Sequence, residues 1–232
     1  MRVLFIDLAS HSGLLACVTE ESVIASEPVD HRIGDHELIP LLEKVLKRAQ
    51  WSYQDLTQIA CVTGPGGFTS LRVAVALANT LVHQLKIPGT GVHLSDLYFA
   101  RISPHPPLDS ATGGLDHRGS ARGTPFHPMG EGRVRDVLWV HSTKKHELFV
   151  RGFGEYAKQW PEAAHVMLEE AEKEIPKGAQ WIGELIPEHE KILQMKGSAL
   201  AAVKTVEEVL PEFLAKRSFI LGLLEPWYGR EG

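Results

Sequence analysis

The first hundred residues alternate short apolar runs with turns. Residues 3–8 (VLFIDL), 13–18 (GLLACV) and 22–28 (SVIASEP) are three such runs separated by brief polar breaks. Runs of this length joined by tight turns predict an antiparallel meander. The pattern then changes period. Leu38, Leu41, Leu42, Val45 and Leu46 fall at i, i+3, i+4, i+7 and i+8, a single apolar stripe on a helix over residues 37–47. Asp35 is placed to cap its start, and Pro40 is tolerated if it lies in the first turn. Residues 58–63 (QIACVT) predict a buried strand, residues 69–85 a second helix rich in Ala and Val, and residues 89–92 a further strand. The succession of meander, helix, strand, turn, helix and strand describes an α/β fold on a mixed sheet.

The rhythm breaks at residues 103–135, where Pro and Gly make up about a third of the positions and large aliphatic residues are scarce. Such a segment buries too little apolar surface to offset its ordering entropy, so a flexible linker or insert is expected there. It divides the chain into an N-terminal lobe, 1–102, and a C-terminal lobe, 136–232. In the second lobe, residues 137–142 and 147–153 predict a hairpin. Helices are expected over 161–175 and 198–210, and a strand over 179–183. No sequence repeat is evident.

Composition narrows the function. With 44% hydrophobic and 23% charged residues the chain is an ordinary globular protein, and a net charge of -5 argues against a nucleic-acid binder held by charge alone. No apolar run approaches the length of a membrane span, and Asp7 interrupts the N-terminal run too early for a signal peptide. A cytoplasmic protein is expected. Cys17 and Cys61 sit inside strand-like runs and read as buried, reduced thiols.

Candidate chemistry centres on Gly64-Pro65-Gly66-Gly67-Phe68-Thr69-Ser70-Leu71-Arg72. A glycine-rich turn between a strand and a helix leaves N–H groups free at the helix start, which favours anions. The spacing matches neither phosphate-loop pattern, GxxxxGK[ST] or GxGxxG. A plain tight turn is one alternative. A contact surface is the preferred one, in which Phe68 and Arg72 are presented and Ala74, Ala76 and Ala78 admit a neighbouring helix. Asp7, at the end of the first run, reads as a solvated turn acid or as half of an incomplete two-carboxylate site. None of the histidines is spaced as HxxxH, and no GxSxG elbow occurs. A convincing catalytic set is missing.

Four stretches together resemble the TsaB (YeaZ) family of tRNA threonylcarbamoyladenosine biosynthesis proteins. IDLASHSGLLACV resembles the family's opening strand–turn–strand, and DHELIPLLEKVL its first helix. IACVTGPGGFTSLRVAVALANTL resembles the family's GPGSFTGLR segment, and EPWYGRE its C-terminal PxYLRE. Where the family has DTST, this chain has Asp7-Leu8-Ala9-Ser10. Where the second lobe opens with DARRxEVY, it has Ser142-Thr143-Lys144-Lys145-His146-Glu147-Leu148-Phe149. The resemblance implies an actin-like, sugar-kinase-like (ASKHA) fold of two RNase H-like lobes, the second reduced. It implies a non-catalytic partner subunit that binds a TsaD-like catalytic subunit, with a TsaE-like ATPase as a further partner and a homodimer as an alternative pairing. It implies tRNA contact only through that complex. No cofactor is expected on this chain, since ATP and metal belong to the catalytic partner. The implied partner interface comprises His36, Leu38, Leu42, Gly66, Gly67, Phe68, Thr69, Leu71, Arg72, Val75, Ala78 and Asn79. Asp7 and Ser10 are the implied remnant of a nucleotide site. A kinase-like phosphotransferase or ATPase of the same fold, or an orphan homodimer, are the alternative readings.

Overall fold

The structure is a computed structural model and describes residues 1–30, 35–102 and 136–229. The expected linker, 103–135, lies outside the described residues. Two five-stranded sheets carry the fold. The first is ordered β3-β2-β1-β4-β5, from β1 (Val3–Asp7), β2 (Ser12–Val18), β3 (Val23–Asp30), β4 (Gln58–Gly64) and β5 (Gly89–His93). The second is ordered β10-β9-β6-β7-β8, from β6 (Val137–Lys144), β7 (Glu147–Phe153), β8 (Ala164–Met167), β9 (Gln180–Glu184) and β10 (Ala199–Leu200).

The two sheets have one topology. Each begins with a three-stranded antiparallel meander and adds two parallel strands to its first strand. The helices follow the same plan. α1 (Asp35–Ala49), α2 (Phe68–Leu85) and α3 (Leu94–Ala100) occupy the same places in the first lobe as α4 (Leu168–Glu174), α5 (Pro187–Met195) and α6 (Val206–Ala215) in the second. The chain is therefore a duplicated RNase H-like unit, the ASKHA arrangement. Its second copy is the smaller: the counterparts of α1 and α2 shrink from 15 and 18 residues to 7 and 9.

Three layers of core explain the strand sequences. Val3 and Phe5 of β1 face a core shared by both lobes, with Val137 and Trp139 of β6, α3 and α6. Leu4 and Ile6 face the opposite way, into a core closed by α1 and α2. Leu138 and Val140 likewise face a core that includes Ala171 of α4 and Leu193 of α5. Strands buried on both faces need unbroken apolar runs rather than alternation. Cys17 and Cys61 are buried free thiols in the α1–α2 core.

Three expectations fail. Residues 161–175 are not one helix: Ala164–Met167 pairs with β7 as an edge strand before α4 begins. Residues 198–210 hold the short strand β10 and then the start of α6, whose capping box is Thr205 with Glu208. The small residues of α2 also serve a different purpose. Ala74 and Ala78 are fully buried against the first sheet, whereas Ala76 is exposed. Spacing by two residues cannot align side chains on a helix, so these alanines bring α2 close to its own sheet, not to another chain.

Candidate functional site

Both lobes direct the ends of their first strands toward a common junction. Asp7 ends β1 opposite Leu14, and His141, on the shared-core face of β6 with Val137 and Trp139, holds the matching position opposite Phe149. The acid of the first lobe thus has an imidazole as its counterpart in the second.

Asp7 is not a solvated turn acid, because it is 1% exposed. Its Oδ1 accepts hydrogen bonds from the amides of Ala9 at 2.9 Å and Ser10 at 3.1 Å. Its Oδ2 accepts from the Ser10 hydroxyl at 2.5 Å. Burial pushes its carboxyl from 3.8 up to about 6, opposed by these three bonds and assisted by the nearby Glu184 charge. A second strand-end acid therefore does approach Asp7, contrary to the sequence expectation. Glu184 closes β9. Its carboxylate accepts the amides of His11 at 2.7 Å and Ser12 at 3.2 Å, tying the second lobe to the β1–β2 turn. Both carboxylates accept hydrogen bonds from their own chain. Among the described residues no group of three His, Cys, Asp or Glu is placed to hold a metal ion.

The rest of the junction is polar, buried and self-satisfied in part. His11 Nε2 donates to the Ser142 carbonyl at 2.9 Å, across the lobes. Since His189 Nε2 faces the Lys145 carbonyl at 2.8 Å, it carries the proton. Nδ1 of His189 is then the acceptor for the Ser142 hydroxyl at 2.7 Å, and that hydroxyl accepts in turn from the Ile186 amide. This Ser–His pair has the contact of a nucleophile and base, yet both residues are about 1% exposed and serve to pin β6 to α5. His141 is fully buried, and burial holds its ring neutral, lowering it to about 3, with His11 adding to the effect. Glu184 and His189 were missed by the sequence reading. The available signal for Glu184 was an acid closing an apolar strand (QWIGE), the same signature that singled out Asp7.

The glycine turn lies beside this junction. Gly64 has φ +142, a conformation open to glycine, and a Cβ there would sit 2.2 Å from the Trp227 carbonyl oxygen. A Cβ at Gly66 would meet Ala9 at 2.8 Å, so close approach of the two turns requires glycine. Beyond them the chain turns outward: Gly67, Phe68, Thr69 and Arg72 are exposed, Phe68 to 55%. The Arg72 guanidinium stands 3.8 Å from the Phe68 ring centroid. A cavity of about 480 Å³ opens between the lobes here, lined by Gly66, Gly67 and Phe68 on one side and by Lys144, Glu147, Phe149 and His165 on the other.

The expected interface residues therefore divide. Leu38, Leu42, Leu71, Val75 and Ala78 are 5% exposed or less and belong to the chain's own cores. They have no free surface to offer. Asn79 is half-buried and spends its amide on both backbone groups of Leu224. His36 lies in the first turn of α1. Gly67, Phe68, Thr69 and Arg72 remain as outward groups, joined by the exposed Ile39 on α1.

Residues 32–109 match a family model described as TsaD: tRNA N6-adenosine threonylcarbamoyltransferase. The chain is 33% identical over 94 residues to the tRNA threonylcarbamoyladenosine biosynthesis protein TsaB of Bacillus subtilis (strain 168), covering 40% of this chain and 41% of that protein. With TsaB of Escherichia coli (strain K12) it shares 28% identity over 92 residues, 40% of each chain. A crystal structure from Pseudomonas aeruginosa, titled as an uncharacterized protein with similarity to peptidase YEAZ, superposes with a TM-score of 0.61 at 14% identity over 99% of both chains. The chain is similar to TsaB/YeaZ proteins in sequence over part of its length and in fold throughout. The matched stretch spans about two fifths of the length of the curated relatives. The likeness to the solved structure shows the same fold across both lobes.

Proposed function

We propose that this chain is a non-catalytic subunit of the assembly that makes threonylcarbamoyladenosine in tRNA, docking a TsaD-like catalytic subunit through the outer corner of α1 and α2. The names of its relatives support the pathway. One observation carries the docking role: a large aromatic side chain, Phe68, stands half exposed beneath an arginine at the start of a long helix. Aromatic and arginine anchors of this kind dominate binding energy at protein interfaces. α1 and α2 cover the same face of the first sheet, so Ile39 and Phe68 belong to one helical layer.

The junction supports a structural role for the former nucleotide site. Asp7 and Glu184 hold turns and lobes together, which leaves neither carboxylate free for phosphate chemistry. ATP and metal are assigned to the catalytic partner. The test is titration of this chain with the TsaD-like subunit, followed by calorimetry. Phe68→Ala and Arg72→Ala should each weaken association by about 2 kcal/mol while the melting temperature stays unchanged. Parent-like affinity in both folded variants would remove this corner as the docking surface.

A further inference from the structure

The stretch 224–229 forms no helix or strand, yet it is held at Leu224, Trp227, Tyr228 and Gly229. The Asn79 side chain takes both backbone groups of Leu224, donating to its carbonyl at 3.0 Å and accepting from its amide at 2.8 Å. Trp227 donates its amide to the Thr63 carbonyl at 2.8 Å. Its own carbonyl fills the space that glycine leaves at position 64. The Trp227 ring stands edge-on to His93, with centroids 4.6 Å apart, and reaches Phe149 of β7 at 5.7 Å. Gly229 lies so close on Phe149 that a Cβ would approach its ring to 2.2 Å. Tyr228 then stands 5.2 Å from Phe68 and accepts a 3.3 Å hydrogen bond from Arg72 Nε.

These contacts have a direction. All the polar ones go to the first lobe, at Thr63 of β4 and at Asn79 and Arg72 of α2, while the contacts of Trp227 and Gly229 with Phe149 cross to the second. The two stretches that sequence reading singled out separately, Gly64–Arg72 and Glu225–Gly229, are one structural unit. Phe68 and Arg72 are exposed and have few neighbours to fix their rotamers. Tyr228 touches both.

We propose that residues 224–229 are a strap that clasps the glycine turn across both lobes, and that Tyr228 is a positioning residue holding Phe68 and Arg72 in the arrangement a protein partner meets. The second half of this inference rests on the docking role of that corner; the first rests on the strap contacts alone. Fixing two long or bulky side chains before association lowers the ordering cost of binding.

The experiment uses the full chain with Tyr228→Ala, Tyr228→Phe, Phe68→Ala and Arg72→Ala. Amide hydrogen exchange over residues 64–72 is read in the free proteins, and affinity is read by titration with the TsaD-like subunit. Tyr228→Ala should speed exchange in that segment and weaken binding about tenfold. Tyr228→Phe keeps the ring against Phe68 and should lose roughly twofold. If Tyr228→Ala changes neither exchange nor affinity while Arg72→Ala weakens binding, the strap is overturned and the docking corner stands. If Tyr228→Ala speeds exchange while Phe68→Ala and Arg72→Ala bind like the parent, the clasp stands and both the positioning role and the docking corner fall.

Discussion

Asp7→Asn measures what a buried carboxylate costs this fold. In the folded chain Asp7 keeps its proton up to about pH 6, against 3.8 when unfolded. Within that interval the folded state binds more protons than the unfolded state, so this group's contribution to stability falls as pH rises. Above pH 6 the full penalty remains, about 3 kcal/mol. Asparagine preserves the local bonding. Its amide oxygen accepts from the amides of Ala9 and Ser10, and its NH2 donates to the Ser10 hydroxyl oxygen, which rotates to accept. The variant should therefore be more stable than the parent at pH 8, by up to about 3 kcal/mol, and equal to it near pH 4. Urea unfolding followed by far-ultraviolet circular dichroism across this range reads the difference. His93 and His141, lowered by burial to about 4 and about 3, oppose folding as pH falls below 6.5. They do so in both proteins, so subtracting variant from parent leaves the Asp7 effect. A variant less stable than the parent at pH 8, or a difference constant with pH, would refute the reasoning.

The alanines of α2 should separate cleanly by position. Ala78→Arg places an unpaired charge in a fully buried site and should cost several kcal/mol, enough to unfold the lobe. Ala76→Arg on the exposed side should leave thermal unfolding, read by calorimetry, within a degree or two of the parent. Gly66→Ala drives a methyl into Ala9, 2.8 Å away, and should lower stability by about 1–3 kcal/mol in the same assay.

The duplication of the fold was implied by the family resemblance but is not visible as a sequence repeat, for a physical reason. What the two lobes share is the order and direction of strands, set by backbone pairing, whereas their residues satisfy different neighbours. Asp7 and His141 occupy matching positions but have different neighbours, turn amides in one lobe and the Trp139 ring in the other. The shorter helices of the second lobe also left weaker periodicity. α5 announces itself mainly by Pro187 in its first turn, and β8 exists because the edge of β7 accepts it.

Local signals determined much of the first lobe. The apolar runs located β1 to β4, the leucine stripe located α1, and glycines before an alanine-rich segment located the start of α2. The protruding Phe68 and Arg72 were legible too, since a glycine turn opening a helix has little with which to cover them. Which face each helix buries was decided only on folding. Leu38, Leu42, Leu71, Val75 and Ala78 carry apolar character that suits an interface or a core equally well, and packing against the first sheet and the shared core assigned them to the core. Position along the chain could not reveal that Glu184 meets the amides of His11 and Ser12, or that Tyr228 meets Arg72, because both contacts join residues more than 150 positions apart. Sequence periodicity records how a residue relates to its own helix or strand. Contacts between distant elements appear only when burial of the shared core brings the two lobes together.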